Sequence, residues 1–258
     1  MITIAVIAQK GGVGKTTTAH ALGIGLQRYR GARVLFIDTD AQGNLSRSLG
    51  ADYSGCSGGN VLDVLAGRAS AAEAIQHLGH ADIIASSPAL SGAEREPTLT
   101  RVGREYRLKK ALETVGEAYD YAVIDTPPAL SIVTVNALTA CKKAIIPAQA
   151  DDYSLEALSR LRETVETIQT YCNPELQIDG ILLTRYNARA VISREIADMM
   201  QAEAEALHTR IYDTRVRECT AVKEAQALRQ DIYSYSPRSN AAKDYRAVLD
   251  EIAGGKQE

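Results

Sequence analysis

The residues best suited to chemistry form a glycine- and lysine-rich segment near the N-terminus, which reads Gln9-Lys10-Gly11-Gly12-Val13-Gly14-Lys15-Thr16-Thr17. Its glycines allow backbone N–H groups to turn inward around phosphate oxygens. Lys15 would then neutralise the β- and γ-phosphates of a nucleotide, and the Thr16 hydroxyl would bind Mg²⁺. The segment therefore predicts a nucleotide-binding loop.

The elements on either side of this loop fit that interpretation. An apolar run at 2–8 comes before it, and a segment of helical periodicity at 15–29, ended by Gly31, follows it. A strand, a loop and a helix in this order are the context that a phosphate-binding loop requires, and the helix adds the positive end of its dipole. Position 9, where the ordinary motif G-x-x-x-x-G-K-[ST] has its first glycine, is glutamine. The loop is thus a variant of the ordinary motif.

Carboxylates follow two further apolar runs. Asp38 and Asp40 follow the run at 33–37, and Asp125 follows the run at 121–124. Ligands bind at the carboxyl ends of parallel strands, and Mg²⁺ takes one or two carboxylates while keeping several waters. We expect Asp125 to hold Mg²⁺ through water. The alternative is that each aspartate caps a helix or forms a turn.

The remaining pattern predicts how the chain folds. Short β-branched runs at 2–8, 33–37, 82–85, 121–124, 144–147 and 178–183 alternate with helical segments at 15–29, 102–116, 154–171, 190–207 and 239–252. This alternation is typical of a doubly wound α/β fold with a mostly parallel sheet. We expect one domain spanning 1–258, with the glycine- and serine-rich stretch at 53–59 as a loop.

Composition limits the classes of function. The net charge of -3 gives no global reason to expect nucleic-acid binding, so a DNA contact would need a local patch. Cysteines 56, 141, 172 and 219 contain no C-x-x-C pair, which argues against zinc and iron–sulfur centres. Neither a secretion signal nor an apolar run of about 18 residues is found, so a cytoplasmic protein is expected.

Three motifs carry a resemblance to the ParA/MinD family of P-loop ATPases. The run from Lys10 to Thr16 resembles that family's deviant Walker A motif, K-G-G-x-G-K-[ST]. The segment 38–44 resembles switch I, D-x-D-P-Q-G-N, with Ala41 in place of proline, and 121–128 resembles Walker B and switch II. The likeness continues through 147–154, 236–239 and Asp244-Tyr245, and is nearest to the short ParA/Soj partition ATPases.

The resemblance implies an Mg²⁺-dependent ATPase and assigns roles to residues. Lys10 would reach across a homodimer interface to the partner subunit's nucleotide, beside the catalytic Lys15. Asp40 would position the attacking water, and Asp38 would support the Mg²⁺ and phosphate region together with Thr16. Arg217 would lie beside the adenine. The nucleotide contacts are then Lys10, Gly11, Gly12, Val13, Gly14, Lys15, Thr16, Thr17 and Arg217.

The resemblance also implies an output at the nucleoid. In the ParA/Soj group an ATP-bound dimer binds DNA non-specifically, and a ParB-type partner stimulates hydrolysis and release, which partitions a chromosome or a plasmid. Arg189 matches one DNA-binding arginine of that group. Glu218 and Ala221 stand where the group has arginines, so Arg215 and Lys223 are the nearby candidates. The alternative for these two residues is ordinary solvated charge.

The same family offers three alternative functions. A MinD-like membrane role needs a basic amphipathic C-terminal helix, whereas the last helical segment carries Asp244, Asp250 and Glu251, so no membrane contact is expected. A nitrogenase-reductase-like protein needs a cysteine in switch II, and 125–138 has none. A ParA-like ATPase that positions a protein cargo stays open at this point.

Overall fold

The sheet of this protein is seven-stranded and almost wholly parallel. The computed structural model describes residues 1–54, 58–187 and 191–252. Its strands are β1 (Ile2–Val6), β2 (Val34–Asp38), β3 (Ile75–His77), β4 (Asp82–Ile84), β5 (Tyr121–Asp125), β6 (Lys143–Ala148) and β7 (Gln177–Leu183). Their order is β3-β4-β2-β5-β1-β6-β7, and only β3 runs antiparallel to its neighbour. The predicted single α/β domain with a mostly parallel sheet is confirmed.

Helices connect these strands. They are α1 (Lys15–Arg30), α2 (Asn44–Leu49), α3 (Val61–Ala66), α4 (Ala71–Ala74), α5 (Arg107–Glu113), α6 (Ile132–Ala140), α7 (Asp152–Tyr171), α8 (Val191–Ala206), α9 (Thr220–Ala227), α10 (Ile232–Tyr235) and α11 (Asn240–Ile252). Short 3₁₀ segments lie at Pro88–Arg95, Pro97–Thr100 and Arg104–Tyr106. In the described parts of the chain, no helix combines the length and apolar character needed to cross a bilayer.

The core lies on both faces of the sheet, as a doubly wound fold requires. Successive strand residues point to opposite faces. Leu35 and Ile124 pack into a buried cluster with α3 and α5 to α8, whereas Phe36 and Val123 pack on the other side with α1, α2 and α9 to α11. Burial on both sides explains why the central strands read as continuous apolar runs.

The register of three neighbouring strands brings the motif residues to one edge. Because β5 lies between β1 and β2, Asp125 pairs with Val6 on one side and with Asp38 on the other. Thr126 Oγ1 donates to the Val6 carbonyl at 2.9 Å, and Thr39 Oγ1 donates to the Asp125 carbonyl at 2.6 Å. These cross-strand bonds hold the glycine-rich loop and both acidic strand ends together.

Candidate functional site

The glycine-rich loop is shaped and held by its surroundings. Gly12 and Gly14 have φ values of 76° and 87°, a backbone region that glycine adopts without steric cost. Outside the loop, Gln149 Nε2 donates to the Gly12 carbonyl at 3.2 Å, and Thr184 Oγ1 donates to the Val13 carbonyl at 2.7 Å. No hydrogen bond in the described residues uses the N–H groups of Gly12 or Gly14. These amides are free for an anion at the N-terminus of α1.

Lys15, the first residue of α1, is held at the mouth of this loop. Its side chain is buried, and Nζ donates to the Lys10 carbonyl at 3.2 Å. Burial lowers the pKa of Lys15, while the nearby carboxylates Asp125 and Asp40 oppose that shift. A cation removed from water in this way gains strongly from an anionic ligand.

A polar pair at the base of the site fits a divalent cation. Thr16 Oγ1 donates to Asp125 Oδ2 at 2.6 Å, and Asp125 is fully buried. The second oxygen, Asp125 Oδ1, is buried without a hydrogen-bond partner in the described part of the chain. Burial, and then the charge of Asp38, raise the pKa of Asp125 well above its usual range. A buried carboxylate with a spare oxygen beside a threonine hydroxyl is a donor set suited to Mg²⁺.

Asp38 occupies a different position from Asp125. Its Oδ2 accepts from the Ser46 backbone N–H at 2.8 Å and from the Ser46 hydroxyl at 2.7 Å, while Oδ1 accepts from the Asp40 N–H at 3.1 Å. Both carboxylate oxygens are thus used to hold the segment that follows β2. This geometry favours an indirect contribution to the predicted cation site, through the placement of Asp40.

Asp40 lies in a turn and lines the cleft above the loop. Its carbonyl accepts from the Gly43 N–H at 2.8 Å and from the Ser86 hydroxyl at 2.6 Å. Its carboxylate accepts from the Gln42 N–H at 2.9 Å. The side chain therefore has a defined direction, as a group that orients a water molecule requires.

Lys10 is engaged within its own chain. Its Nζ lies 2.5 Å from Asp151 Oδ2 and 3.4 Å from the Ser154 hydroxyl. Although burial raises the pKa of Asp151, the hydrogen bonds from Lys10 and Ser154 outweigh it and leave that pKa lowered. The predicted contact of Lys10 with a partner's nucleotide would require this ion pair to open.

The other end of the cleft is built from the last third of the chain. Arg217 Nε and Nη2 donate to the two oxygens of Asp244 at 2.9 and 2.5 Å, and the Arg217 N–H adds a third bond at 3.0 Å. Arg217 lines the cleft, and a planar guanidinium fixed in this way is suited to stacking on a base. The cleft measures about 600 Å³, and its wall here includes Val216, Arg217, Cys219, Val222, Lys223 and Tyr245.

Arg215 and Lys223, the two residues predicted to bind DNA that the structure describes, have different surroundings. Lys223 lines the nucleotide cleft together with Glu218. Arg215 is exposed, and its guanidinium lies 4.6 Å above the Tyr186 ring while donating to the Tyr186 hydroxyl. Arg189 lies outside the described residues. The assignment of these three residues to DNA stays a prediction.

Several residues that build the site were not predicted from the sequence to belong to it. Asp244 fixes Arg217, and Gln226 Nε2 donates to Thr17 Oγ1 at 2.8 Å. Thr184, the residue after β7, binds the loop, and Ser46 binds Asp38. The family resemblance at Asp244-Tyr245 could have indicated the contact between Asp244 and Arg217. Thr184 and Gln226 belong to no sequence motif that could have indicated their contacts.

Comparison with known proteins places the chain in a family. A family model described as an AAA domain matches residues 1–178. The sporulation initiation inhibitor protein Soj of Bacillus subtilis is 39% identical over 255 residues, which is 97% of each chain. The chromosome partitioning protein ParA of Caulobacter vibrioides is 36% identical over 253 residues, covering 96% of this chain and 92% of that one.

A solved structure agrees with these relatives. Cobyrinic acid a,c-diamide synthase of Mycobacterium smegmatis, crystallised with ADP and magnesium, superposes with a TM-score of 0.81 at 30% identity. The match covers 100% of this chain and 97% of that protein. With the variant loop, the two acidic strand ends and these full-length relatives, the chain belongs to the ParA/MinD family of P-loop proteins.

Proposed function

We propose that this protein is an ATPase that partitions DNA, in which MgATP drives formation of a homodimer. The observation that carries the ATPase part of this proposal is the Thr16–Asp125 pair. Asp125 has a spare buried oxygen, and Thr16 lines a cleft of about 600 Å³. The names of the relatives Soj and ParA supply the cellular process.

The P-loop holds the phosphates. The N–H groups of Gly12 and Gly14, with Lys15, surround the β- and γ-phosphates, and Thr16 and Asp125 would hold Mg²⁺. When bound, Mg²⁺ supplies positive charge that offsets the negative charge of the phosphates. Arg217 packs beside the adenine at the far end of the cleft.

Asp40 orients the attacking water. Phosphoryl transfer to water depends on positioning and charge neutralisation and needs little covalent chemistry from the protein. The Asp40 carboxylate, fixed by the Gln42 N–H and by its own turn, is suited to accept a hydrogen bond from that water. Asp38 contributes by holding the Asp40 backbone.

Dimerisation uses Lys10. In the described chain Lys10 is paired with Asp151, so its transfer to the partner subunit's nucleotide exchanges one anionic partner for another. Hydrolysis then removes the γ-phosphate contact and releases the dimer. ATP binding thus forms the dimer, and ATP hydrolysis limits how long the dimer lasts.

DNA binding and its release by a ParB-like protein complete the proposal. Arg189, Arg215 and Lys223 are the candidate phosphate contacts, and the DNA-bound dimer would be associated with the nucleoid. A ParA-like ATPase that positions a protein cargo is the second candidate, because Glu218 weakens the basic character of the surface near Lys223.

One set of measurements separates these functions. Sizing and DNA retention with MgATP, MgADP and no nucleotide should give a dimer and DNA binding with MgATP alone. The DNA binding should weaken steeply with salt, as phosphate contacts do. DNA binding that needs no ATP or ignores salt would contradict the DNA role. An MgATP-dependent dimer without DNA binding would favour a protein cargo.

A variant series tests the chemistry. Asp40→Ala should leave a nucleotide-bound dimer that hydrolyses ATP slowly, and Lys15→Ala should abolish nucleotide binding. Hydrolysis at the wild-type rate in Asp40→Ala would refute the water-positioning role. Arg215→Glu and Lys223→Glu should each lower DNA retention without loss of the dimer if these residues contact phosphates.

A further inference from the structure

The turn that carries Asp40 has no proline at its second position. The Gly43 N–H donates to the Asp40 carbonyl at 2.8 Å, which closes a four-residue β-turn from 40 to 43. The second position of such a turn favours proline, because the proline ring fixes φ at the value that the turn needs. Alanine stands there, at Ala41, so no ring fixes φ at this position.

Tyr53 supplies contacts to this turn from outside it. Its hydroxyl donates to the Ala41 carbonyl. Its ring lies close to Gly43, where an added Cβ would come within 2.0 Å of the ring carbon Cε2. The same ring carries the Arg47 guanidinium 4.6 Å above it, and Arg47 lines the nucleotide cleft. One side chain thus contacts the turn at two points and the following helix, α2, at a third.

Ser86 and Tyr53 bind the peptide units on either side of Ala41. Ser86 Oγ donates to the Asp40 carbonyl, and Tyr53 donates to the next carbonyl, that of Ala41. The peptide units before and after Ala41 are therefore each held by one hydrogen bond from outside the turn. Without the Tyr53 hydroxyl, the Ala41 carbonyl loses its hydrogen bond and the turn can rotate about the residue that follows Asp40.

We propose that Tyr53 is a positioning residue for Asp40, and that it provides the restraint that proline would give at position 41. The proposal rests on the proposed ATPase function. It places Tyr53 outside the reacting atoms, acting through the turn.

The chain offers a direct way to test this equivalence. The Ala41 N–H donates no hydrogen bond in the described part of the chain, so a proline at this position would remove none. The bond from the Gly43 N–H would also stay. Ala41→Pro should therefore restrain the turn by a second route and rescue a chain that lacks the Tyr53 hydroxyl.

The experiment measures hydrolysis of bound MgATP in a single turnover, together with affinity for a fluorescent ATP analogue and thermal unfolding. Tyr53→Phe should slow hydrolysis roughly three- to tenfold, the effect of one lost neutral hydrogen bond. Nucleotide affinity should change by less than about twofold, since the phosphate contacts are not touched. Tyr53→Phe combined with Ala41→Pro should recover most of the rate.

Tyr171→Phe is the matched control, because Tyr171 is 76% exposed and lies outside the site. Its rate should equal that of the wild type. An unchanged rate in Tyr53→Phe would overturn the inference, as would a slowed rate that Ala41→Pro fails to recover. If the wild type itself does not hydrolyse MgATP, the proposed function fails first and the role of Tyr53 fails with it.

Discussion

The ion pair between Lys10 and Asp151 should oppose dimerisation, and its removal should strengthen the dimer. Lys10 Nζ lies 2.5 Å from Asp151 Oδ2, and the two side chains are 25% and 35% exposed. A charged hydrogen bond at this exposure contributes about 0.5–1.5 kcal/mol after screening by solvent. If Lys10 must leave Asp151 to reach the partner subunit's nucleotide, that contribution is lost on association.

Asp151→Asn removes the charge and preserves the fold of α7. Asp151 is the N-cap of this helix, where its Oδ1 accepts from the Ser154 N–H at 2.8 Å, and asparagine caps helices about as well as aspartate. A symmetric dimer opens two such pairs. The variant should therefore associate more tightly by about 1–3 kcal/mol, or roughly five- to 150-fold in the dimer dissociation constant.

Sedimentation velocity with MgATP over a range of protein concentrations measures this constant. Asp40→Ala serves as the common background so that nucleotide is not consumed. Asp152→Asn is the control, because Asp152 is the exposed neighbour of Asp151. This substitution also removes one negative charge from the start of α7. If Asp151→Asn dimerises no more tightly than Asp152→Asn, the ion pair does not restrain Lys10 and the reasoning is wrong.

Three further outcomes follow from the site and the core. Asp125→Asn should abolish the Mg²⁺ dependence of nucleotide binding in calorimetric titrations, and an undiminished Mg²⁺ effect would exclude Asp125 as a ligand. Arg217→Lys should weaken nucleotide binding roughly three- to tenfold, since lysine lacks the planar fork that binds Asp244. If Arg217→Lys and the wild type bind nucleotide with equal affinity in a fluorescence titration, Arg217 does not contact the base. Burial lowers the pKa of His20 to about 4, below its unfolded value of 6.5, so the unfolded chain binds more protons as pH falls between these values. The free energy of unfolding should therefore fall by at most about 3 kcal/mol between pH 6.5 and pH 4. His20→Asn should make this fall smaller when the free energy of unfolding is measured by urea denaturation at each pH.

The central part of the fold was predictable because its signals are local. The apolar runs ending at Asp38 and Asp125 and the glycine-rich loop each predict an element and its polar end, and the parallel sheet then brings those ends together. The helices predicted at 15–29, 154–171, 190–207 and 239–252 match α1, α7, α8 and α11 to within two residues at each end.

The rest depended on tertiary contacts that leave weak local patterns. Strand β3, Ile75–His77, is a three-residue, partly exposed edge and was not predicted. The helix predicted at 102–116 was too long, because residues 104–106 form a 3₁₀ turn and α5 covers only Arg107–Glu113. Helix α9 was missed as well, and it is the element that places Lys223 in the cleft.

The paired strand ends also determine when the site can exist during synthesis. Thr16 and Asp38 are made early, but Asp125, their common neighbour, is made about a third of the length of the chain later. The contact between Thr126 and Val6 spans 120 residues in sequence. A nascent chain that has emerged only as far as β4 therefore carries the complete glycine-rich motif and no cation site. The predicted cation site is complete only when β5 has inserted between β1 and β2, so binding of Mg²⁺ at this site would report the long-range assembly of the sheet.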